Sequence, residues 1–229
     1  PDNITIEYQA DIDVERRKSI SRNHSATHLL HAELRNLLGD HVLQKGSLVS
    51  DSYLRFDFSH TSSLSSDLVK KLEENINRNI FQNISLNEHK NLTISEADKL
   101  GALMIFGEKY GDKVRMIQYG ESKELCGGTH VNSTSEIGLI KILSESSVAT
   151  GIRRIEASTG LTAIDFLNSK SSLVDEVSSI LKNNNIIFAI NKLKEENKKL
   201  VNDNNRFQIE SLKTLVHALH NESQKLNDF

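Results

Sequence analysis

The sequence predicts a protein of the α+β class, in which an antiparallel sheet packs on helices and a long α-helical hairpin follows. Two observations indicate the mixed class. Apolar residues recur at helical spacing in residues 21–38 and 68–82, and apolar and polar residues alternate in residues 53–58 and 114–119. A third observation indicates the hairpin, because no glycine follows residue 160 and the apolar residues there keep helical spacing. Periods of about 3.6 and about 2 residues are typical of helices and half-buried strands, respectively.

The composition limits what the chain can be. Its 229 residues can hold one fair-sized domain with an appendage, and 37% hydrophobic residues are enough for a core. A single cysteine excludes an internal disulfide, which favours a reducing compartment and a cytoplasmic location. No apolar run approaches about 18 residues and no secretory leader is visible, so neither a membrane span nor export is predicted. The net charge of −3 requires any nucleic acid to be bound by local basic clusters.

The first three elements are predicted to be a strand, a turn and a helix. Residues 1–12 alternate as a short strand, and the opening proline suggests that they end an element of a longer protein. The charged residues 13–18 predict a turn that either is solvated or contacts a phosphate. Ser21 or Asn23 is expected to cap the helix that follows, and Gly39 is expected to end it.

The middle of the chain is predicted to alternate between strands and helices, with turn signals at the boundaries. A serine-rich stretch before residue 67 is expected to be a loop that ends in a helix cap, and Ser95 begins a stretch that resembles a capping box. The predicted elements are a turn at 50–52, a strand at 53–58, a helix to about residue 82, a strand at 85–92, a short helix that stops at Gly101, and strands at 114–119 and 138–143.

Two motifs of histidine and cysteine predict a metal site. His24 and His28 lie four residues apart, so a helix places their imidazoles one above the other. Cys126 and His130 are also four residues apart, and two glycines at 127–128 allow the backbone between them to bend tightly. Imidazole nitrogen and thiolate sulfur together suit Zn²⁺ in tetrahedral geometry. The sequence therefore predicts zinc as the cofactor.

Other chemistries use some of the same residues. His31 is a third geometrical candidate on the helix face, although packing among leucines with a hydrogen bond is the commoner role for such a histidine. A zinc protease would need glutamate directly after the first histidine as its general base, and Ser25 stands there instead. A hydrolase with Cys126 as nucleophile would need that thiol free of metal, so a metal assay separates it from the zinc hypothesis.

Two further stretches carry candidate contacts to a nucleic acid. Lys109 and Tyr110 lie in a glycine-bracketed turn, where they either meet a phosphate and a base or form an ordinary hairpin loop. Strand alternation places Arg153 and Arg154 on opposite faces. Arg153 is expected to point into a pocket, whereas Arg154 either contacts the nucleic acid or only pairs with Glu156.

Residues 161–229 are predicted to form two helices around an asparagine-rich break at 183–185. Leu193, Leu200 and Phe207 recur every seven residues, and a seam of that period requires a second helix to cover it. Either the first helix folds back as an antiparallel hairpin or a second chain covers the seam. The short seam favours the hairpin, with a homodimer that is weak at most.

Six motifs occur in order at residues 22–31, 44–47, 54–60, 106–111, 124–130 and 153–157. As a set they resemble the editing region of the alanyl-tRNA synthetase family. Threonyl-tRNA synthetases carry a related domain, but the Cys-Gly-Gly-Thr-His form and the helical continuation favour the alanyl family. The resemblance implies the end of a preceding element at 1–20, a zinc-containing editing domain at 21–160 and a helical hairpin or coiled-coil segment at 161–229.

The resemblance implies a zinc-dependent deacylase that is part of an aminoacyl-tRNA ligase. Its substrate would be the ester of seryl- or glycyl-tRNA(Ala), and its partner would be the acceptor end of that tRNA. ATP would be used only by the family's aminoacylation domain. The alternative is a zinc-stabilised tRNA-binding module without catalytic activity. The implied metal ligands are His24, His28, Cys126 and His130, the implied catalytic or substrate-binding residues are Thr27, Gln44 and Arg153, and the candidate tRNA contacts are Lys109, Tyr110 and Arg154.

Overall fold

The computed structural model describes residues 10–104 and 110–227 and confirms the α+β class. The predicted strand at 1–12 and the candidate tRNA contact Lys109 therefore fall wholly or mostly outside the described residues. The elements are α1 (Val14–Leu38), β1 (Gln44–Val49), β2 (Leu54–Ser59), α2 (Ser66–Phe81), β3 (Asn87–Leu92), α3 (Ile94–Lys99), β4 (Val114–Tyr119), β5 (Ser122–Leu125), a 3-10 turn (Thr134–Ile137), β6 (Ile140–Ala149), β7 (Ile152–Thr159), α4 (Gly160–Leu181) and α5 (Ile186–Asn227).

Helix α1 begins well before the predicted start. The side chain of Asp13 accepts a hydrogen bond from the backbone N–H of Arg16 at 3.0 Å and so caps the helix, which runs to Gly39 as predicted. The charged residues 13–18 were predicted to be a turn, and this was wrong because arginine, lysine and glutamate are good helix formers after an aspartate cap. Asn23, one of the predicted caps, lies inside the helix and is buried.

The described strands form two antiparallel sheets, where the sequence predicted one. The first has the order β1-β2-β7-β6 and the second the order β3-β4-β5. Strand β5 was not predicted, because its four residues, Ser122–Leu125, show no clear alternation. Helices α1 and α2 pack on the first sheet, and α1 also contacts β5 of the second sheet. One helix thus brings the histidine motif next to the strand that leads into Cys126.

The core of the first compact unit lies between the first sheet and the two helices that cover it. Leu30 of α1, Phe56 and Phe58 of β2 and Leu72 and Ile76 of α2 are fully buried there. Burying a large apolar side chain stabilises a fold by about 1.5 to 3 kcal/mol. This layer therefore holds α1 in a fixed position, which is what a side-chain cluster on one of its faces requires.

The second compact unit, Asn168–Phe229, contains the end of α4 and all of α5. The predicted order of helix, asparagine-rich break and helix is present. The predicted seam is uncovered, because Leu193, Leu200 and Phe207 are 53%, 68% and 60% exposed. The first helix of the expected hairpin thus does not cover these three side chains. No helix among the described residues is long and apolar enough to cross a membrane.

Candidate metal centre

The structure brings the four sequence-predicted ligands into one group. His24 and His28 extend from α1, while Cys126 and His130 extend from the loop after β5. One nitrogen or sulfur atom from each residue lies within 4.8 Å of the corresponding atoms of the other three. Cys126 Sγ is 3.3 Å from His24 Nε2 and 3.3 Å from His130 Nε2.

The donor set and its spacing fit a tetrahedral ion of the zinc type. Zinc bonds of about 2.3 Å to sulfur and about 2.0 Å to nitrogen separate the two atoms by roughly 3.5 Å at a tetrahedral angle, close to the 3.3 Å between Cys126 Sγ and the two Nε2 atoms. His28 Nε2 is buried and has no hydrogen-bond partner among the described residues. A buried nitrogen without a partner is costly, and coordination to a metal would satisfy it.

Gly128 permits the close approach of the cysteine loop to helix α1. A Cβ atom at this position would lie 2.1 Å from Cε1 and 2.5 Å from Nδ1 of His24, whereas one at Gly127 would have no heavy atom within 4 Å. The backbone N–H of Gly128 donates to Cys126 Sγ at 3.4 Å. Absence of a side chain at residue 128 is thus a condition for assembling the group.

Arg115 of β4 holds the same loop from the side of the second sheet. Its Nη1 donates to the carbonyl of Cys126 at 3.1 Å and to that of Gly128 at 2.6 Å. Its guanidinium also pairs with Glu88 of β3, and the N–H of Cys126 donates to the carbonyl of Arg115 at 3.0 Å. Sequence analysis missed Arg115, because an arginine in an alternating strand looks like any solvent-facing residue.

The surroundings of Cys126 and His130 favour the protonation states in which these two side chains bind metals. Burial raises the pKa of the Cys126 thiol, but its hydrogen bonds with His130 and His24, together with the charge of His28, outweigh burial and bring this pKa well below its usual value. Cys126 is therefore a thiolate, which is the form of cysteine that binds metals. Burial, together with the charges of His28 and His24, lowers the pKa of His130. His130 is therefore neutral near pH 7.

A buried carboxylate links the second ligand to the histidine that follows it on the helix. Glu124 of β5 lies 2.7 Å from Nδ1 of His28 through one oxygen and 2.9 Å from Nδ1 of His31 through the other. Burial opposes the charge of each partner, yet their mutual attraction raises the pKa of His28 and lowers that of Glu124. His31 is therefore a hydrogen-bonded core histidine outside the four-residue group. Sequence analysis missed Glu124.

The structure does not join the predicted substrate-binding residues to the group by hydrogen bonds. The hydroxyl of Thr27 donates to the carbonyl of Asn23 at 2.8 Å, one turn back along α1. Gln44 begins β1 and reaches the hydroxyl of Ser47 at 3.3 Å. Arg153 pairs with Glu145 at 2.5 Å and is half-buried.

The two remaining candidate tRNA contacts also have partners within the domain. Arg154 forms a two-pronged ion pair with Asp57 at 2.7 and 2.8 Å. The predicted pairing of Arg154 with Glu156 is thus replaced by Asp57, because β2 is the strand next to β7. Tyr110 is half-buried and packs against the small apolar cluster of the second sheet.

An open cavity of about 520 Å³ lies directly beside the group. His130 and Val131 form part of its wall, and α1 supplies the cationic side chains of Arg17, Lys18 and Arg22. Lys18 pairs with Glu15 at 2.8 Å on the exposed surface, where screening by solvent makes such a contact weak. Glu136 also lines this cavity. Sequence analysis named residues 13–18 as a candidate phosphate contact but did not predict the cavity.

Comparison with known proteins supports the predicted resemblance. Residues 114–156 match the family described as Threonyl and Alanyl tRNA synthetase second additional domain. This match covers β4, β5, the Cys126 loop and most of the β6–β7 hairpin, so it includes half of the four-residue group.

Whole-length relatives extend the likeness to almost all of the chain. An alanine–tRNA ligase from Flavobacterium psychrophilum is 46% identical over 99% of the chain, and one from Christiangramia forsetii is also 46% identical over 99%. One from a Thermoanaerobacter species is 46% identical over 96%. The chain spans about a quarter of the length of these relatives (26%, 26% and 25%). The resemblance to part of an alanyl-tRNA synthetase is confirmed.

Proposed function

We propose that this chain, which corresponds to about a quarter of the length of alanine–tRNA ligases, contains a zinc-dependent aminoacyl-tRNA deacylase. The substrate is the ester of serine or glycine on tRNA(Ala). The observation that carries the proposal is the group of His24, His28, Cys126 and His130 in a chain whose similarity to these ligases extends over 99% of its length. Its partner is the tRNA acceptor end, and its compartment is the cytoplasm.

A hydrolytic site separate from the aminoacylation pocket is needed because that pocket alone selects alanine poorly. A synthetic pocket sized for a methyl group discriminates against a smaller side chain, or one with an added hydroxyl, by only about 10 to 200-fold. A site that offers hydrogen bonds to the seryl hydroxyl can do better, because alanine would leave the buried partners unpaired. Hydrolysis at that site removes the wrong amino acid after it has been attached.

The four side chains would hold zinc, and each would contribute one donor. When bound, zinc supplies Lewis-acid polarisation of an oxygen or a lowered pKa of a bound water. Glu124 keeps Nδ1 of His28 occupied by a hydrogen bond, so that Nε2 is the nitrogen available to the group. Arg115 holds the carbonyls of Cys126 and Gly128 and thereby orients the thiolate.

The cavity beside His130 would receive the acceptor end. Phosphate oxygens would bind the side chains of Arg17, Lys18 and Arg22, since cationic side chains supply most of the affinity for a nucleic-acid backbone. A nucleotide held there would place its ribose ester near His130. This local cluster accounts for RNA binding by a chain whose net charge is −3.

Thr27, Gln44 and Arg153 remain the proposed catalytic or substrate-binding residues. Thr27 has its hydroxyl proton committed to the carbonyl of Asn23, so it can only accept a further hydrogen bond. Among the described residues, the side-chain amide of Gln44 has one hydrogen-bond partner, the hydroxyl of Ser47 at the long distance of 3.3 Å, so the amide can turn to a ligand. We propose that Gln44 binds the seryl hydroxyl and that Arg153 positions the substrate.

Incubation of the zinc-loaded chain with seryl-tRNA(Ala) and alanyl-tRNA(Ala) tests the proposal. Serine is expected to be released at least about 100-fold faster than alanine, because a site that hydrogen-bonds a hydroxyl rejects the analogue without it. The measurement is release of the labelled amino acid over time, and Gln44→Ala should reduce the ratio of the two rates. Zinc-dependent tRNA binding with no release of serine would favour the alternative.

That alternative is a zinc-stabilised tRNA-binding module without chemistry. The four protein donors favour it, because structural zinc sites have four such ligands, whereas a catalytic zinc keeps one position for water or substrate. The module would still bind the acceptor end through the cavity. Only the hydrolysis assay separates the two candidates, since both need zinc and both bind tRNA.

The uncovered seam of α5 has a separate expected result. Leu193, Leu200 and Phe207 are exposed, and a second copy of the chain could cover them as a coiled coil. Because the seam is short and Asn197 and Asn204 interrupt its apolar side, we expect mostly monomer in sedimentation velocity across a concentration series. A stable dimer that dissociates on Leu200→Asp would contradict this expectation.

A further inference from the structure

Ser25 lies at the centre of a buried polar cluster next to the candidate metal centre. Its side chain is fully buried, and its Oγ lies 3.1 Å from Nδ1 of His130 and 3.2 Å from the hydroxyl oxygen of Tyr119. The backbone N–H of Val131 donates to the same Oγ at 3.1 Å. Tyr119 in turn donates its hydroxyl proton to the carbonyl of Val131. The polar groups of α1, β4 and the cysteine loop therefore meet in one place.

Counting protons in this cluster assigns a donor and an acceptor to every contact. When His130 binds a metal through Nε2, its neutral ring carries a proton on Nδ1, which must then donate to Ser25 Oγ. Tyr119 has one hydroxyl proton, and Val131 accepts it. The proton of Ser25 therefore goes to the oxygen of Tyr119. All four contacts are satisfied in this arrangement.

We propose that Ser25 and Tyr119 are positioning residues that hold His130 in its metal-binding tautomer through a directed chain of hydrogen bonds. The chain runs from Nδ1 of His130 to Ser25, from Ser25 to Tyr119, and from Tyr119 to the carbonyl of Val131. It leaves the unprotonated Nε2 of His130 facing Cys126 Sγ at 3.3 Å. The inference rests on the metal centre of the proposed function and not on deacylation.

The direction of the chain gives the Tyr119 hydroxyl an effect on a ligand that it does not touch. Without that oxygen, the hydroxyl of Ser25 has Nδ1 of His130 as its remaining acceptor among the contacts described for it. Donation to Nδ1 favours the tautomer that carries its proton on Nε2, and this nitrogen, which faces Cys126, can then no longer bind a metal. Removal of one buried oxygen therefore weakens metal binding through two other groups.

The chain of hydrogen bonds acts on one of the four proposed ligands, His130. His28 has its own partner, since Glu124 lies 2.7 Å from its Nδ1, and Cys126 is held by the carbonyl contacts of Arg115. A loss of zinc in variants of Ser25 or Tyr119 is therefore assigned to His130. Ser25 also explains why the residue after the first histidine is small and hydroxylic, because the position faces this cluster and is fully buried.

The test measures the zinc affinity of the whole chain by competition with a chromogenic chelator. We expect Ser25→Ala and Tyr119→Phe each to bind zinc about 10 to 100-fold more weakly, as is usual when a partner of a metal ligand is removed. Because both substitutions break the same chain, the double variant is expected to lose no more than the weaker-binding single variant. Losses that multiply in the double variant would overturn the proposal.

Ser158→Ala is the matched control. Ser158 is 1% exposed, and its hydroxyl has no hydrogen-bond partner among the described residues. This variant is expected to bind zinc as the parent chain does, and weakening by as much as Ser25→Ala causes would overturn the proposal, since any lost buried hydroxyl would then have the same effect.

The absorption spectrum of the Co²⁺-loaded chain separates positioning from general stability. Cobalt bands report the tetrahedral sulfur and nitrogen set, and thermal unfolding of the metal-free variants reports the fold. Tyr119→Phe is expected to change the cobalt spectrum. A variant with lower thermal stability but parental zinc affinity and cobalt spectrum would show a structural role and overturn the proposal. None of these readouts uses tRNA, so failure of the deacylase proposal would be seen separately.

Discussion

Replacement of Gly128 by alanine is expected to weaken zinc binding strongly. The new Cβ would lie 2.1 Å from Cε1 of His24, a separation that neither group can tolerate. Either the imidazole of His24 leaves the group, or the loop moves away together with Cys126. Both changes remove a metal donor. Loss of a residue that only hydrogen-bonds a metal ligand weakens metal binding by up to about 100-fold, so loss of a donor itself is expected to raise the zinc Kd by more than that.

Gly127→Ala provides the control for this experiment. A Cβ at residue 127 would meet no heavy atom within 4 Å, and neither glycine has a backbone φ in the left-handed region. The two variants thus differ in steric contact alone, and Gly127→Ala should bind zinc like the parent. Equal zinc affinity of the two variants, measured by chelator competition, would show that His24 does not lie against the loop.

Replacement of Cys126 by alanine is expected to remove both zinc and hydrolysis of seryl-tRNA. Cys126 is the single cysteine of the chain. Although burial raises the pKa of its thiol, the contacts with His130 and His24 outweigh burial and lower that pKa. Three imidazoles without the thiolate form a weaker site that lacks its negative charge. The measurement is bound zinc per chain after gel filtration, together with the seryl-tRNA assay. His24→Ala should give the same result.

His41→Ala is the control for these two substitutions. His41 is exposed and hydrogen-bonds His60 at 3.0 Å, outside the four-residue group. The His41→Ala variant should retain one zinc per chain. Full zinc occupancy in Cys126→Ala would remove the cysteine from the ligand set and restore the hypothesis that its thiol is a nucleophile.

The local parts of the site could be predicted from the sequence because local geometry fixes them. A four-residue spacing on a helix determines that His24 and His28 share a face, and glycines at 127–128 indicate a tight bend whatever the surrounding fold. The strand limits at 114–119 also agree with β4, since a buried strand shows its period directly. The zinc role of the group stays a prediction.

The partners of the ligands could not be predicted, because each contact crosses nearly the whole domain. Glu124 is 96 residues from His28 in sequence, and Ser25 is 94 residues from Tyr119. Neither Glu124 nor Ser25 differs by type from the many surface residues of the chain. Their roles depend on α1 lying next to β5, and that arrangement is set by packing of the whole core.

The early start of α1 and the uncovered seam of α5 show two other limits of sequence patterns. Asp13 caps α1 because it is followed by residues with high helix propensity, whereas the apolar pattern that was used for the boundary begins later. The period of Leu193 and Leu200 correctly indicates a helix. The period does not specify what would cover the apolar side of that helix, because any covering surface belongs to another part of the sequence or to another molecule.

The placement of the metal group has a consequence for synthesis on the ribosome. His24 and His28 leave the exit tunnel long before Cys126 and His130, since five described strands, β1 to β5, lie between the two pairs. A nascent chain that exposes only the histidine pair offers two donors, which hold a metal ion weakly. If the group binds zinc as proposed, capture by all four donors would therefore follow emergence of Cys126 and His130, so the ion would slow later unfolding rather than guide the first folding steps.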